Sequence, residues 1–173
     1  MQKVLILTTD GVGGAERVSV TIGKILQAHD YEVVFAIVRH GLANSSIADF
    51  IPQGFSILFI NDTGPVKMAF KLIRTISEVR PDYVFASLMY LSTKILPFRF
   101  RFPKIKFIIR SENNMGMFNL RQRWQMRLSY RLADRIIAQN REMKEGMMNV
   151  LGIPETKITV LHNPVDTQYI DER

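Results

Sequence analysis

The apolar run Lys3-Val4-Leu5-Ile6-Leu7-Thr8 is followed almost at once by Asp10-Gly11-Val12-Gly13-Gly14-Ala15-Glu16. A short apolar run that meets a glycine turn and passes into helical periodicity is a strand–turn–helix opening, and Val18, Ile22 and Ile25 extend it at i, i+4, i+7. The same alternation recurs along the chain. Strands are expected at Lys3 to Thr8, Glu32 to Val38, Phe55 to Ile60, Asp82 to Ser87, Lys104 to Ser111, Asp134 to Gln139 and Lys157 to His162. Several are almost wholly apolar, as strands covered on both faces are. The pattern predicts an α/β protein: a Rossmann-like, doubly wound, mainly parallel seven-stranded sheet with helices on both faces, ordered 3-2-1-4-5-6-7.

Punctuation between the strands supports this division. Val66, Ala69, Ile73 and Ile76 mark a second core-facing stripe, with Pro65 at a first helical position after Gly64 and Pro81 closing the helix after Arg80. Asn140 is placed to cap a helix that runs to about Leu151, with Gly152 as its stop. Ligands of such sheets bind beyond the carboxyl ends of the strands, where the strand order reverses. That point falls between strands one and four, and it selects the loops Thr9 to Ala15, Leu88 to Tyr90 and Glu112 to Gly116.

Composition narrows the function classes. With 173 residues, 47% hydrophobic and 23% charged, the chain can bury a core as one domain, which excludes disorder. No cysteine is present, which removes disulfides and thiolate metal sites. His29, His40 and His162 have no partner at a ligating spacing and read as surface or capping residues, so no metal is expected. The longest uncharged runs fall well short of the roughly 20 apolar residues of a membrane span, and a cytoplasmic location is expected. The net charge of +7 is local: 11 of the 23 basic residues lie between Lys94 and Arg135, against only Glu112 and Asp134. Such a patch suggests nucleic acid, an anionic membrane or a phosphorylated ligand as neighbour.

Two loops could carry chemistry. Glycines before a helix let the backbone approach a ligand, and the free N–H groups of a helix start attract phosphate. Here Gly11 and Gly13 are followed by Glu16 where the dinucleotide fingerprint needs a third glycine, and no Gly-Lys-Ser/Thr triplet makes a P-loop. Classical NAD and ATP sites are therefore disfavoured, and a plain tight turn stays open as the alternative. After the fifth strand, Arg110-Ser111-Glu112-Asn113-Asn114 sets five polar side chains behind Phe107-Ile108-Ile109, a cluster suited to a hydroxyl-rich ligand or, alternatively, to a turn and cap.

The basic region adds a third feature. Leu120, Trp124, Leu128 and Leu132 form one i+4 row beside Arg123, Arg127 and Arg131. That row fits a core stripe with a solvated arginine face, or an interfacial helix. Phe98-Arg99-Phe100-Arg101-Phe102-Pro103-Lys104 interleaves aromatics with cations, as membrane or nucleic-acid surfaces do.

These residues resemble the N-terminal domain of glycosyltransferase family 4 enzymes, which have the GT-B fold. The markers are Gly13-Gly14-Ala15-Glu16-Arg17 after the first strand, Arg110 to Asn114, the stretch from Ala133 to Ile137, and the closing Asn163-Pro164-Val165-Asp166. The resemblance implies an acceptor-side domain over 1–163, the start of an interdomain linker over 164–173, and a donor-binding C-terminal domain outside this chain. It further implies metal-free, cofactor-free, retaining transfer from a nucleotide-sugar to a lipid-linked or polysaccharide acceptor, with the fragment alone inactive. Gly13 and Gly14 would approach the donor phosphates; Glu16, Arg110, Glu112, Asn113 and Asn114 would serve the acceptor, and Glu112 is the candidate catalytic contact. Membrane docking would fall to Arg99, Phe100, Arg101, Arg123, Trp124 and Arg127, at the inner face of the membrane, with no nucleic acid as partner. The end at Asp171-Glu172-Arg173 is expected to be a cut between domains. The competing reading is a non-catalytic polyanion-binding module that uses the basic face of 94–135.

Overall fold

In the computed structural model, residues 1–39, 46–61, 64–111 and 113–164 are described. Their centre is an all-parallel sheet of β1 (Lys3–Thr9), β2 (Glu32–Arg39), β3 (Ser56–Asn61), β4 (Tyr83–Ala86), β5 (Lys106–Arg110), β6 (Arg135–Ala138) and β7 (Ile158–Val160). The order is β3-β2-β1-β4-β5-β6-β7, as the strand pattern predicts. β1 lies between β2 and β4, so Leu5 is in register with both Val34 and Val84. His40, Glu112 and the linker residues 165–173 lie outside the described residues.

Side chains alternate across the sheet and build two cores of unequal size. On one face, Leu5, Leu7, Val34 and Ala36 meet the helices α2 (Pro65–Val79), α3 (Met89–Ile95), α4 (Leu120–Tyr130) and α5 (Arg141–Leu151). On the other, Val4, Ile6, Val33 and Phe35 meet α1 (Gly14–Ala28) and a short turn at Ile47–Phe50. Helices cover both faces, but α1 packs chiefly on β1 and β2. Beside it an open groove of about 460 Å³ runs over Phe85, Ile108 and Ile137, with Leu161 at its rim.

The helix boundaries follow their local chemistry. Pro65 opens α2, Arg80 closes it in the left-handed region at φ 49°, and Pro81 is buried beyond. Asn140 caps α5 by accepting the Met143 N–H at 2.8 Å, and Gly152 stops it at φ 62°. His29 caps α1, its Nδ1 2.8 Å from the Ile25 carbonyl.

Three apolar stripes differ from the sequence expectation. Ile25 is exposed, because the face on which it lies has no covering element there and it lines the open groove instead. Val66 is exposed because α2 buries the row Met68, Leu72 and Ile76. In α4 the buried residues are Met126, Ser129 and Tyr130, and Met126 lies two residues, or about 200°, from both Trp124 and Leu128. The Leu120–Trp124–Leu128 row therefore faces outward.

Candidate functional site

Parallel strands bring the carboxyl ends of β1, β4 and β5 to one edge of the sheet, and the strand order reverses between β1 and β4. The glycine loop and the polar loop after β5 are thus two strand spacings apart, about 10 Å. Between them stands the end of β4, where the buried Ser87 and Ser19 hydroxyls meet at 2.6 Å. Ser19 lies on α1, so this contact pins the helix that carries the glycine loop to the end of β4.

Gly13 is the N-cap of α1 and Gly14 its first residue, both exposed. The first N–H groups of a helix have no partner within it and are free to meet an anion. Glu16 turns beneath the loop: it is buried, and its Oε1 accepts the Thr9 hydroxyl at 2.6 Å. A Cβ on Gly13 would lie 2.7 Å from Glu16 Oε2, so a side chain there would collide with the carboxylate that supports the loop. Asp10, also buried, accepts the Ser46 hydroxyl and pairs with Arg39 at 3.3 Å. Arg39 in turn stacks over Phe59, 3.6 Å from the ring centroid. The first loop is held on both flanks by carboxylates that point inward.

The second loop is held by amides. Arg110 is buried and donates to Asn163 Oδ1 at 2.6 Å. Asn163 Nδ2 donates to Gln139 Oε1 at 3.3 Å, and Gln139 Nε2 donates to the Ser111 carbonyl at 3.1 Å. These bonds close a circuit over the ends of β5, β6 and β7. Asn113 and Asn114 are half-buried, and Asn114 Nδ2 donates to Glu142 Oε1 at 3.2 Å. Glu112, between them and Ser111, is outside the described residues. Sequence reasoning missed Ser19, Ser87 and Gln139, whose partners are 68 or 24 to 28 residues away.

Two of the six residues expected at a membrane surface have internal partners. Arg99 donates to both Asp134 carboxylate oxygens, at 2.7 and 3.2 Å, and Arg123 donates to the Phe118 carbonyl at 2.8 Å. Phe100, Arg101, Trp124 and Arg127 are exposed. Among the described residues no group of three His, Cys, Asp or Glu is placed to hold a metal ion, and no helix is long and apolar enough to cross a membrane.

Residues 12–169 match the family model of Glycosyltransferase Family 4. No curated protein matches the chain by sequence. Among solved structures, HepE (Alr3699) of Anabaena in complex with UDP superposes with a TM-score of 0.75 at 14% identity, covering 97% of this chain and 45% of that one. The lipopolysaccharide outer core galactosyltransferase WaaB gives 0.71 at 16% identity, covering 95% and 46%. The UDP-GlcNAc 2-epimerase of Methanocaldococcus jannaschii gives 0.69 at 15%, covering 94% and 46%, so the fold extends beyond transferases. The chain spans less than half the length of each of these structures. The family match covers nearly the whole chain, from Val12 through Gly13, Gly14 and the polar loop after β5: the chain belongs to Glycosyltransferase Family 4 and has the fold of the N-terminal half of a GT-B enzyme.

Proposed function

We propose that this chain, over 1–163, is the acceptor-binding half of a retaining, hexosyl-type glycosyltransferase, with 164–173 leading to its own donor-binding domain. The full protein would move a sugar from a nucleotide-sugar to a lipid-linked or polysaccharide acceptor at the cytoplasmic side of a membrane. The observation that carries this is the convergence of a glycine-capped helix start and a polar loop on one crevice at the β1–β4 junction, in a chain of this family. UDP in the HepE structure and the likeness to the galactosyltransferase WaaB support a nucleotide-sugar donor.

In this reading the N–H groups at Gly13 and Gly14 approach the donor diphosphate. Asn113 and Asn114 hold acceptor hydroxyls, and Glu112 contacts the hydroxyl that reacts. Glu16 and Arg110, both buried, act from beneath: Glu16 holds the glycine loop and Arg110 the root of the polar loop that serves the acceptor. The bond from the anomeric carbon to the diphosphate breaks, a bond to the acceptor oxygen forms, and the hydroxyl proton passes to the leaving diphosphate. The reaction needs no cofactor, and no metal takes part in it.

The test is an amide-resolved NMR titration of this chain with a short isoprenyl-diphosphate sugar, with NAD and random DNA as parallel controls. Shifts at Gly13, Gly14 and residues 113–114 with the lipid-linked sugar alone are expected. Shifts confined to 98–131 with DNA, and a silent glycine loop, would make the chain a polyanion-binding module instead.

A further inference from the structure

β3 forms one edge of the sheet and β7 the other. An edge strand presents unpaired backbone N–H and C=O groups along its outer side, and proteins blunt such edges with charge, proline, bulges or short length. β7 is blunted by its length of three residues. β3 has none of these devices. Its six residues, Ser56-Ile57-Leu58-Phe59-Ile60-Asn61, include no charge, proline or glycine, and their register with β2 is unbroken from Ser56 to Asn61. Among the described residues no strand pairs with its outer side. Ile60 belongs to the core beneath α2 and Ile57 packs on the opposite core, so alternation sets Leu58 on the α2 face and Phe59 on the α1 face. Leu58 is 39% exposed and Phe59 47%, so the edge is apolar on both faces.

The edge is complementary to a second copy of itself. Two copies related by a two-fold axis perpendicular to the sheet pair antiparallel, with α2 of both on one face. Directly opposed residues of an antiparallel pair share a face, so the axis must pass through a residue rather than between two. Asn61 decides which. Its carbonyl already accepts from Lys71 Nζ at 3.0 Å, which leaves 56–60 to pair and puts Leu58 at the axis. Leu58 then meets the partner's Leu58 beside α2, and Ile57 meets the partner's Phe59 on the other face. Phe59 is fixed beneath the Arg39 guanidinium, so ordering it on association costs little. On α2, Lys71, Arg74 and Glu78 follow at i, i+3, i+7 along the side that borders β3, and the two-fold reverses their order in the partner. The exposed Arg74–Glu78 ion pair of one copy is thereby set against the same pair running the other way, cation toward carboxylate.

We propose that β3 pairs antiparallel with β3 of a second copy, through 56–60 and about a two-fold at Leu58, and so joins two seven-stranded sheets into one. A pairing five residues long is at the small end of protein interfaces, and a dissociation constant in the micromolar range is expected. β3 lies two strands from β1 and at the far edge from β7, so the pairing leaves the crevice and the exit of the chain at Asn163 open. The proposal goes beyond the transferase reading and does not depend on it, because assembly requires neither donor nor acceptor.

The chain has no cysteine, so one introduced thiol reports on one contact. With oxidised glutathione, Leu58→Cys should cross-link two copies, because residues opposed at the axis have Cα atoms about 4.5–5.5 Å apart, within disulfide reach. Ser56→Cys should not, because position 56 faces the partner's Ile60, about 13 Å along the strand from the partner's Ser56. By sedimentation equilibrium the parent should pass from the 19.9 kDa of one chain toward twice that mass as its concentration rises through the micromolar range. Leu58→Lys sets two like charges face to face at the axis and should weaken the dimer by at least about tenfold, while the far-ultraviolet circular dichroism stays that of the parent. A mass of one chain at every concentration overturns the proposal and leaves the edge to a strand of another protein. Cross-linking of Ser56→Cys in place of Leu58→Cys overturns the two-fold at Leu58. A dimer that Leu58→Lys leaves as strong as before overturns the proposal too, and places the contact on another face.

Discussion

Gly13 and Gly14 are adjacent in sequence and differ in what a side chain would meet. A Cβ on Gly14 has no neighbour within 4 Å, whereas one on Gly13 lies 2.7 Å from Glu16 Oε2. Gly14→Ala should therefore leave stability within about 0.5 kcal/mol of the parent and still reduce nucleotide-sugar turnover in the full enzyme, because the added methyl stands where the phosphates would come. Equal turnover of the parent and Gly14→Ala enzymes would remove this loop from the donor site. Thr9 and Glu16 act as one unit beneath the loop, so a double-mutant cycle of Thr9→Val and Glu16→Ala should show a coupling of about 1 kcal/mol in urea unfolding. Strictly additive losses would mean that the 2.6 Å bond does not support the loop. At this scale the sequence makes the residue types legible, glycines at a helix start and amides after a strand. It does not show that Glu16 and Arg110 turn inward, because their direction is set by Thr9 and by Asn163, 53 residues beyond Arg110.

Among the elements, α1 shows how one missing Cβ sets the height of a helix over a sheet. Gly23 is buried against β2, and a Cβ there would stand 2.4 Å from the Phe35 ring and 3.4 Å from Ile6. Phe35 cannot swing away, since it is fully buried and meets Phe55 edge-on at 5.4 Å. Overpacking of this kind costs about 1–3 kcal/mol, and the helical preference of alanine returns up to about 1 kcal/mol. Gly23→Ala should thus destabilise the chain by about 1–2 kcal/mol, seen as a lower urea midpoint with an unchanged slope. A stabilised variant would show that α1 rides freely on the sheet. Strand existence and order were legible because long apolar runs alternating with amphipathic stretches admit few right-handed parallel topologies. Which way a helix faces was less so: the row Leu120, Trp124, Leu128 has the period of a core stripe, yet Met126, Ser129 and Tyr130, on the opposite side, are the residues that α4 buries. Periodicity fixes a face and leaves its partner open, and on α4 that choice separates a core stripe from an exposed one.

Across the whole molecule the sheet is unevenly covered, with four helices on one face and α1 over one end of the other. The edge that carries the crevice is correspondingly supported by side-chain bonds as well as by packing. β7 has three residues, and the chain leaves it through Leu161, whose N–H donates to the Ala138 carbonyl at 2.9 Å, and then Asn163. Asn163 accepts from Arg110 and donates to Gln139, which holds the Ser111 carbonyl, so the exit of the chain and the root of the polar loop share one circuit. Asn163→Ala removes one acceptor of a buried guanidinium, a loss of about 1.5–3 kcal/mol for a hydrogen bond to a charged group. The loss should stay local. Amide exchange should speed up together at Ser111 and Leu161, which sit on different strands, while the amides of β1 and β2 keep their protection. A change at Leu161 alone would reduce Asn163 to a tether for the chain end. A joint change would mean that any motion of the segment beyond Asn163 reaches the loop that holds Asn113 and Asn114. In the two-domain transferase proposed above, that coupling would let the position of the second half set the shape of the acceptor site.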